Sequence, residues 1–270
     1  MKYKNEYFSR KTVVVTGAAS GIGLALTEEL LKSNAAKVVM ADINPERLHE
    51  QEERLKAQYG NRVKAILCDV TVEEKVHQMV SEAVDFFDGR IDLMINNAGA
   101  LFKGWFEDLT VAEWRKAFDL NFYGALYGTR SAISFMIDQD EGQIVNIISG
   151  IAFMPMPAWT PYAATKAALN AMTVALRAEF WDRNIKISSA TPGTVTTAIW
   201  GDRTPPKGAQ TPQDAATRIL RGVAKNERII FGDTPDRRGA ARCYAYGANK
   251  SKDKYLLRVG RERRAGITSI

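Results

Sequence analysis

Seven short apolar runs alternate along the chain with longer segments in which apolar residues recur every three or four positions. Strands buried on both faces of a sheet show such continuous runs, and amphipathic helices show such spacing. Parallel strands need crossover connections that return over the sheet. The pattern therefore predicts an α/β fold, a doubly wound, seven-stranded parallel sheet with helices on both faces. The predicted strands cover residues 12–16, 37–41, 63–68, 91–95, 144–148, 185–190 and 228–231.

Polar residues mark the places where three of the predicted helices begin. A capping residue followed by proline, or a threonine with a glutamate three residues later, satisfies the free N–H groups of a first helical turn. Such starts are found at Asn44-Pro45-Glu46, at Thr71 with Glu74, and at Thr110 with Glu113.

Composition and charge limit the number of domains and the kinds of partner. The chain has 270 residues, of which 46% are hydrophobic and 25% charged, as in ordinary globular proteins. With no internal repeat and no linker, we expect one domain over residues 1–231 and a basic C-terminal tail over residues 232–270. This tail holds ten Lys and Arg against four Asp and Glu, which accounts for the whole net charge of +6. Because the rest of the chain is neutral, no nucleic-acid partner is expected.

Three further features exclude membrane-spanning, secreted and metal-binding proteins from the prediction. The longest stretch free of charged or strongly polar side chains, residues 150–159, is half of what a bilayer-spanning helix needs. The start of the chain lacks the apolar core of a signal peptide, so a cytoplasmic location is expected. Cys68 and Cys243 stand far apart with no His or Cys at metal-ligand spacing, as in proteins of reducing compartments without a zinc site.

A glycine-rich turn follows the first predicted strand and leads into a predicted helix. Its residues, in a Gly-x3-Gly-x-Gly spacing, are Gly17, Ser20, Gly21, Ile22 and Gly23. Glycines let backbone N–H groups approach a pyrophosphate, and a helix N-terminus directs about half a positive charge at that anion. The turn is therefore predicted to hold the phosphates of a dinucleotide, although a purely structural turn has the same pattern.

Asp42 ends the second predicted strand, 19 residues after Gly23. An acidic side chain at this place can accept hydrogen bonds from both ribose hydroxyls of an adenosine, and it repels a 2′-phosphate. The pairing of turn and carboxylate favours NAD over NADP as the cofactor. The alternative is that Asp42 caps the helix that begins at Pro45.

Tyr162 and Lys166 are four residues apart at the start of a predicted helix, and Ser149 ends the fifth strand. The spacing places the phenol and the ammonium on one helical face. Oxidation of an alcohol needs a base for its proton, and a free tyrosine titrates near pH 10. A neighbouring cation would have to overcome burial to lower that pKa. The three residues are candidates for a proton-transferring site.

Further motifs complete the pattern: Asn96-Asn97-Ala98-Gly99 after the fourth strand, Asn121 in a long helix, and residues 191–196 after the sixth strand. From about residue 11 to residue 231 the sequence resembles the short-chain dehydrogenase/reductase family, in its compact branch of about 250 residues. The resemblance implies that Tyr162 is the general acid/base and that Lys166 lowers its pKa and binds the nicotinamide ribose. It implies that Ser149 bonds the substrate oxygen and that Asn121 anchors a proton-relay water.

The resemblance also implies contacts with the cofactor. Asp69 and Val70 would meet the adenine, and the segments after the fourth and sixth strands would meet the ribose and the nicotinamide. The residues concerned are Asn97, Ala98, Gly99, Pro192, Gly193, Val195 and Thr196. Structural alternatives remain open for two of the implied positions: Asn121 as a polar link between a helix and a strand, and Asp69 as a cap near Thr71.

Apolar side chains flank the motifs that should surround the nicotinamide. The candidates for substrate contacts are Phe102, Ile151, Trp159, Ile199 and Trp200. No Arg or Lys stands among them to bind a carboxylate or phosphate, which suggests an apolar secondary alcohol or ketone as the substrate. The alternative is that several of them are core or subunit contacts.

The remaining expectations concern partners and activity. The helices predicted over residues 111–137 and 161–181 resemble those through which family members pair, so we expect a homodimer or homotetramer. The basic tail is expected to be solvated or to lie on a neighbouring subunit, and a weaker alternative is attraction to anionic lipid. The function expected from the resemblance is transfer of a hydride between NAD and a secondary alcohol or ketone. The alternative is a catalytically idle dinucleotide-binding regulatory or scaffold protein.

Overall fold

The computed structural model of the protein describes residues 5–201, 204–243 and 249–267. Seven parallel strands form one sheet in the order β3-β2-β1-β4-β5-β6-β7, which confirms the predicted doubly wound, seven-stranded parallel sheet. The strands are β1 (Thr12–Thr16), β2 (Lys37–Asp42), β3 (Val63–Leu67), β4 (Leu93–Asn96), β5 (Gly142–Ile147), β6 (Ile185–Thr191) and β7 (Ile229–Phe231).

Nine α-helices are found among the described residues, and most of them connect one strand to the next across a face of the sheet. They are α1 (Gly21–Lys32), α2 (Pro45–Tyr59), α3 (Glu73–Phe86), α4 (Val111–Phe118), α5 (Gly124–Gln139), α6 (Thr160–Glu179), α7 (Pro212–Ala224), α8 (Thr234–Cys243) and α9 (Asn249–Arg264). None of the helices in the described ranges is both long and apolar enough to cross a membrane.

The sheet is buried on both faces, which explains the unbroken apolar runs of its strands. In β1, Val13 and Val15 share a cluster with Leu30 of α1, whereas Val14 between them shares a different cluster with Met79 of α3. Successive side chains of a strand point to opposite faces, so each face of β1 needs its own apolar cover. Each such side chain contributes about 1.5–3 kcal/mol when it is fully buried.

Two of the three predicted helix starts are confirmed, and the third is wrong. The Asn44 side chain accepts a hydrogen bond from the Arg47 N–H, and Thr110 and Glu113 form a capping box. Helix α3 begins instead at Glu73. Its N-cap residue is Val72, whose side chain cannot form a capping hydrogen bond. The reason is local: the backbone N–H and hydroxyl of Thr71 both donate to Asp69 Oδ1, at 3.0 and 2.7 Å, so the hydroxyl is turned away from the helix.

The long helix predicted over residues 111–137 is divided in the structure. Helices α4 and α5 are joined by a π-helical turn, Asp119–Tyr123, in which the backbone remains helical but gains one residue per turn. Asn121 lies in the middle of this turn and is almost completely buried. The widened turn thus brings a polar side chain toward the loop after β4.

Where it is described, the basic segment 232–270 is folded on the domain rather than solvated. Helix α9 covers the loop that precedes α6: the Arg263 guanidinium lies 4.7 Å from the centre of the Trp159 ring. Its neighbour Arg264 lies 4.0 Å from the Trp105 ring and forms a 2.7 Å ion pair with Glu107. Stacking of a guanidinium on indole contributes about 0.5–2 kcal/mol. Two arginines of the basic segment therefore help to hold α9 on the domain.

Candidate active site

The carboxyl ends of the strands bring the predicted motifs together at one edge of the sheet. All strands are parallel, so the segments that follow β1, β2, β4, β5 and β6 leave the sheet on the same side. Strands β1 and β4 are adjacent at the centre, and from them the strand order runs in opposite directions. Ligands of open α/β sheets bind in the crevice at such a switch point.

The glycine turn after β1 packs so closely that side chains are excluded. A Cβ on Gly23 would lie 2.1 Å from the Gly17 carbonyl oxygen, and a Cβ on Gly17 would lie 2.9 Å from the Ala98 Cα. Gly17 also has φ +65°, a conformation that favours glycine. The Asn97 side-chain amide donates to the carbonyl oxygens of Thr16 (2.9 Å) and Gly17 (3.2 Å). In this structure, Asn97 therefore shapes the turn.

The N-terminus of α1 fits a pyrophosphate. The first N–H groups of a helix have no acceptor within the helix, and the Ser20 side chain at the N-cap forms no capping hydrogen bond. The N–H groups of Gly21, Ile22 and Gly23 are therefore left for an anion, which the helix dipole also stabilises. Gly21 has φ +55°, and a Cβ on it would lie 3.4 Å from the Thr197 Cγ2.

Substitution of Gly23 by alanine tests this packing. The new Cβ would overlap backbone atoms that cannot move independently, and overpacking of this kind costs about 1–3 kcal/mol. We expect Gly23→Ala to lower the free energy of unfolding by that amount and to weaken dinucleotide binding, measured by denaturant titration and by fluorescence titration with NADH. The matched control is Gly239→Ala in α8, where the new Cβ would lie 3.8 Å from Met154. Equal stability of the two variants would contradict the close packing.

Asp42 holds the turn against β2 and retains capacity for a ligand. Its Oδ2 accepts from the Ala19 N–H at 2.9 Å, and its Oδ1 accepts from the Asn44 N–H at 3.0 Å. Each carboxylate oxygen can accept a second hydrogen bond, so a ribose diol remains compatible with these contacts. The cap of α2 is Asn44 itself, so the alternative interpretation of Asp42 as the cap does not fit.

The residues implied for the adenine and ribose also have partners within the chain. The hydrogen bonds from Thr71, chiefly that of its hydroxyl, hold the pKa of Asp69 below its usual range. Val70 is buried against Gly124, since a Cβ on Gly124 would lie 2.9 Å from a methyl group of Val70. The Ala98 N–H donates to the Thr16 hydroxyl at 3.1 Å. These contacts fix the walls of the crevice beside the glycine turn.

Asn121 connects the π-helical turn to the loop after β4. Its Oδ1 accepts from the Ala100 N–H, and its Nδ2 donates to the Ala100 carbonyl oxygen, both at 3.0 Å. A Cβ on Gly99 would lie 2.7 Å from Asn121 Oδ1 and 3.3 Å from Lys166 Nζ. Asn121 thus has a structural role close to the predicted alternative, although it joins the helix to the loop after β4 instead of to a strand, and it also lies near Lys166.

Tyr162 and Lys166 lie together in the interior, beside the end of β5. The Lys166 ammonium is 5.9 Å from the centre of the Tyr162 ring and donates to the Ile147 carbonyl oxygen at 2.9 Å. Both side chains are more than nine-tenths buried. The predicted cluster of phenol, ammonium and Ser149 is therefore assembled at the same edge as the glycine turn.

Burial sets the protonation of both groups, and for tyrosine it acts against our expectation. It raises the pKa of Tyr162 to about 12, an effect to which the Asp236 carboxylate adds and which a hydrogen bond with Ser149 opposes. Burial also lowers the pKa of Lys166 to about 8. We expected Lys166 to lower the tyrosine pKa, but loss of hydration dominates. The phenol is therefore protonated at neutral pH.

The loop after β6 is fixed from two sides. Gly193 has φ +77°, and the next residue, Thr194, donates its N–H to Asp233 Oδ2 at 3.1 Å. On the other side, the Thr196 N–H donates to the Gln210 carbonyl oxygen at 2.9 Å. Val195 is buried between these contacts, and Gln210 also donates to the Pro192 carbonyl oxygen. The segment implied for the nicotinamide is thus rigidly placed.

Two of the five predicted substrate residues pack beside Tyr162. Ile151 and Trp159 belong to a small apolar cluster with Tyr162, next to the acid/base candidate. Phe102 is half-buried, and Ile199 is 42% exposed at a turn formed by Ala198–Trp200. The side chain of Trp200 lies outside the described residues.

Asp233 and Asp236, in the segment predicted to be a basic tail, are an acidic pair that the sequence did not predict near the site. Asp236 lies against the residue that follows Ser149: a Cβ on Gly150 would be 1.9 Å from its Oδ1. Burial and the neighbouring Asp233 raise the pKa of Asp236 to about 6. A buried acid is unusual in a segment this basic, but nothing in the sequence shows that α8 returns to the end of β5.

A doubly wound parallel sheet, with a glycine turn and a carboxylate at the ends of its first two strands, defines the class of dinucleotide-binding α/β proteins. Residues 11–208 match the family model described as short chain dehydrogenase. An uncharacterized oxidoreductase of Staphylococcus aureus (strain USA300) is 36% identical over 220 residues, which cover 81% of this chain and 93% of that protein. The chain belongs to the short-chain dehydrogenase/reductase family, as the resemblance predicted, and is an oxidoreductase.

Solved structures show the same fold with either form of the cofactor. A short-chain dehydrogenase/reductase from Burkholderia phymatum in complex with NAD is 23% identical, with a TM-score of 0.81 over 93% of this chain and 96% of that one. The protein ElxO with NADP bound is 26% identical, with a TM-score of 0.74 over 83% of this chain and 98% of that one. The fold therefore accommodates both dinucleotides.

Proposed function

We propose that the protein transfers a hydride between NAD and a secondary alcohol or ketone. The observation that carries this proposal is the buried pair of Tyr162 and Lys166 beside Ser149, at the sheet edge that holds the glycine turn. The residues that would hold the cofactor are those of the turn and of the α1 N-terminus, with Asp42 for the adenosine ribose. When bound, NADH would supply the hydride to the carbonyl carbon.

The side chains of this site would handle the proton. Because the pKa of Tyr162 is raised to about 12, its phenol is protonated at neutral pH and can donate to the carbonyl oxygen of a ketone. Ser149 would donate a hydrogen bond to the same oxygen and so orient it. The tyrosinate left behind would be stabilised by the Lys166 ammonium, which is held by the Ile147 carbonyl. Oxidation of an alcohol follows the same steps in reverse.

The function is tested by following absorbance at 340 nm with a panel of ketones and secondary alcohols, using NAD(H) and NADP(H). We expect turnover of at least one member. Binding of the dinucleotide with no turnover of any member would favour the alternative, an idle regulatory or scaffold protein. A phenol and an ammonium buried together argue against that alternative, because burial of ionisable groups is costly without a use.

NAD is the proposed cofactor because of the carboxylate of Asp42, with NADP as the less favoured alternative. Hydrogen bonds to a charged group are worth about 1.5–3 kcal/mol each, and the same carboxylate repels a 2′-phosphate. We expect Asp42→Asn, which removes the charge but keeps the shape, to reduce the ratio of kcat/KM with NADH to that with NADPH by at least ~10-fold.

The control for this variant is Asp138→Asn, an exposed carboxylate near the end of α5, at the opposite edge of the sheet. Steady-state kinetics with both cofactors measure the ratio. Equal use of NADH and NADPH by the unmodified protein would contradict the role proposed for Asp42.

An apolar substrate is proposed because Ile151 and Trp159 pack around Tyr162. Arg263, a cation beside this cluster, is already occupied within the chain, since it stacks on Trp159 and donates to the Pro157 carbonyl oxygen. A homodimer or homotetramer is also proposed. Large exposed apolar side chains near α4 support this assembly: Phe106, before the helix, is 70% exposed, and Val111, its first residue, is 67% exposed. A cytoplasmic location is proposed from the two isolated cysteines, a usage that is typical of reducing compartments.

A further inference from the structure

Gln210 lies just before α7 and contacts the loop after β6 through both its backbone and its side chain. Its N–H donates to the Thr194 carbonyl oxygen, and its carbonyl oxygen accepts from the Thr196 N–H, both at 2.9 Å. Its side-chain Nε2 donates to the Pro192 carbonyl oxygen. Gln210 is thus bound along residues 192–196, the segment implied for the nicotinamide.

This segment needs contacts from outside because a glycine stands within it. Gly193 has φ +77°, in the left-handed region that favours glycine. A glycine backbone rotates more freely than that of any other residue, so local sterics alone do not orient the two peptide groups beside Gly193. Other parts of the chain must hold them in place.

A different side chain holds each of these two peptide groups. Gln210 Nε2 binds the peptide group between Pro192 and Gly193 through its carbonyl oxygen. Asp233 Oδ2 binds the next peptide group through the Thr194 N–H, at 3.1 Å. The packing is close, since a Cβ on Gly193 would lie 2.8 Å from Gln210 Nε2. Loss of the Gln210 amide would therefore release one side of the glycine.

The Gln210 side chain is oriented by its bond to Pro192. Only the NH2 end of an amide can donate to a carbonyl oxygen, so Pro192 determines which way the side chain points. The other end of the amide, Oε1, is buried and has no hydrogen-bond partner among the described residues. A buried acceptor without a partner costs free energy. The fold bears this cost while the amide holds the loop.

The part of the fold that carries Gln210 is firmly anchored. Thr211, the next residue, caps α7 by accepting a hydrogen bond from the Asp214 N–H. Ile219 of α7 belongs to the same buried apolar cluster as Leu30 of α1. Gln210 therefore connects the loop after β6 to a helix that is fixed in the core.

We propose that Gln210 is a positioning residue for the cofactor, because its amide orients the peptide group between Pro192 and Gly193 for contact with the nicotinamide. This inference rests on the proposed function, which places the nicotinamide at this loop. The adenosine half and the pyrophosphate are assigned to other residues, those of the glycine turn and Asp42. The effect of Gln210 is therefore confined to the nicotinamide half of the dinucleotide.

The test compares NADH with ADP-ribose, which has the adenosine, the pyrophosphate and the second ribose but no nicotinamide. Titration calorimetry with the full chain measures the Kd of each, so no turnover is needed. Gln210→Met keeps the length of the side chain but has no donor. We expect it to raise the Kd of NADH by at least ~5-fold, which corresponds to a net hydrogen bond of about 1 kcal/mol. The Kd of ADP-ribose should change by less than about twofold.

Two variants are the controls. Gln213→Met, at an exposed position in the first turn of α7, should leave both Kd values unchanged. Gly23→Ala should weaken both ligands, because both carry the pyrophosphate proposed to lie at the glycine turn. Thermal unfolding verifies that each variant is folded. Gln210→Glu, which keeps the shape but replaces the donor by an acceptor, takes the place of Gln210→Met if the latter does not fold.

The outcomes distinguish this inference from the proposed function. If the unmodified protein binds neither NADH nor ADP-ribose, the proposed function fails. A loss of affinity confined to NADH supports the positioning role. If Gln210→Met weakens both ligands equally, or weakens neither, Gln210 only stabilises the loop and the inference is overturned.

Discussion

Tyr162→Phe is expected to reduce kcat for ketone reduction by about 10²–10⁴-fold, the range that a positioned general acid contributes. The phenol is protonated at neutral pH, since burial raises its pKa to about 12, and the variant removes only the oxygen that carries the transferred proton. The ring and its packing against Ile151 remain. Binding of NADH, measured by fluorescence titration, should change by less than about threefold, because no proton is transferred on binding.

The matched control for Tyr162→Phe is Tyr59→Phe, at the end of α2 and outside the active-site edge. This variant should retain full activity. If Tyr162→Phe kept more than a tenth of the activity, the acid would have to be sought elsewhere in the site.

Lys166→Met is expected to abolish most activity while making the folded protein more stable. The ammonium is buried and makes one hydrogen bond, to Ile147 O, among the described contacts. Burial lowers its pKa from 10.5 to about 8, and 1.36 kcal/mol per pKa unit gives a cost of about 3 kcal/mol for holding the charge in the fold. Since the lost hydrogen bond offsets part of this gain, we expect a net rise of about 1–3 kcal/mol in the free energy of unfolding at pH 7.

The pH dependence follows from the direction of this shift. Between about pH 8 and pH 10.5 the unfolded chain holds a proton on Lys166 that the folded protein has released, so stability of the unmodified protein rises with pH in that window. The advantage of Lys166→Met is therefore largest below pH 8 and disappears by pH 10.5. Ketone reduction by the unmodified protein should decline as the pH rises through 8, because neutral lysine no longer stabilises a tyrosinate.

Denaturant titrations across this pH range, together with activity at 340 nm, measure both effects. Lys225→Met, an exposed lysine just after α7, is the control and should change stability by less than about 0.5 kcal/mol. A Lys166→Met protein that is less stable than the unmodified one at pH 7 would show that the ammonium is a structural link instead.

The parts of the fold that sequence predicted are those governed by local pattern. The apolar runs located all seven strands, because both faces of the sheet are covered and most strand positions are therefore apolar. The predicted ends of the strands were less accurate where a side chain replaces the backbone hydrogen bonds of the sheet. Strand β4 begins at Leu93 instead of Ile91, and the Ile91 backbone is bound by the Gln139 side-chain amide, 48 residues away.

The parts that sequence did not predict depend on contacts between distant residues. Arg263 stacks on Trp159 across more than 100 positions, so composition alone made this segment look like a solvated tail. The contact between Asp236 and Gly150 also depends on the placement of α8, which the sequence pattern does not indicate. The raised pKa of Tyr162 likewise reflects burial, which the spacing of Tyr162 and Lys166 cannot convey. The motifs therefore identified the candidate residues, whereas the pKa of Tyr162 depends on its burial in the fold.

The most direct test is to follow deuterium, by mass spectrometry, from NADH that carries deuterium at both C4 positions of the nicotinamide into the product alcohol. We expect the unmodified protein to place deuterium on the carbinol carbon, and Tyr162→Phe to do so at a small fraction of that rate. A product without the label, or equal labelling by both proteins, would contradict a site in which this phenol supplies the proton that accompanies hydride transfer.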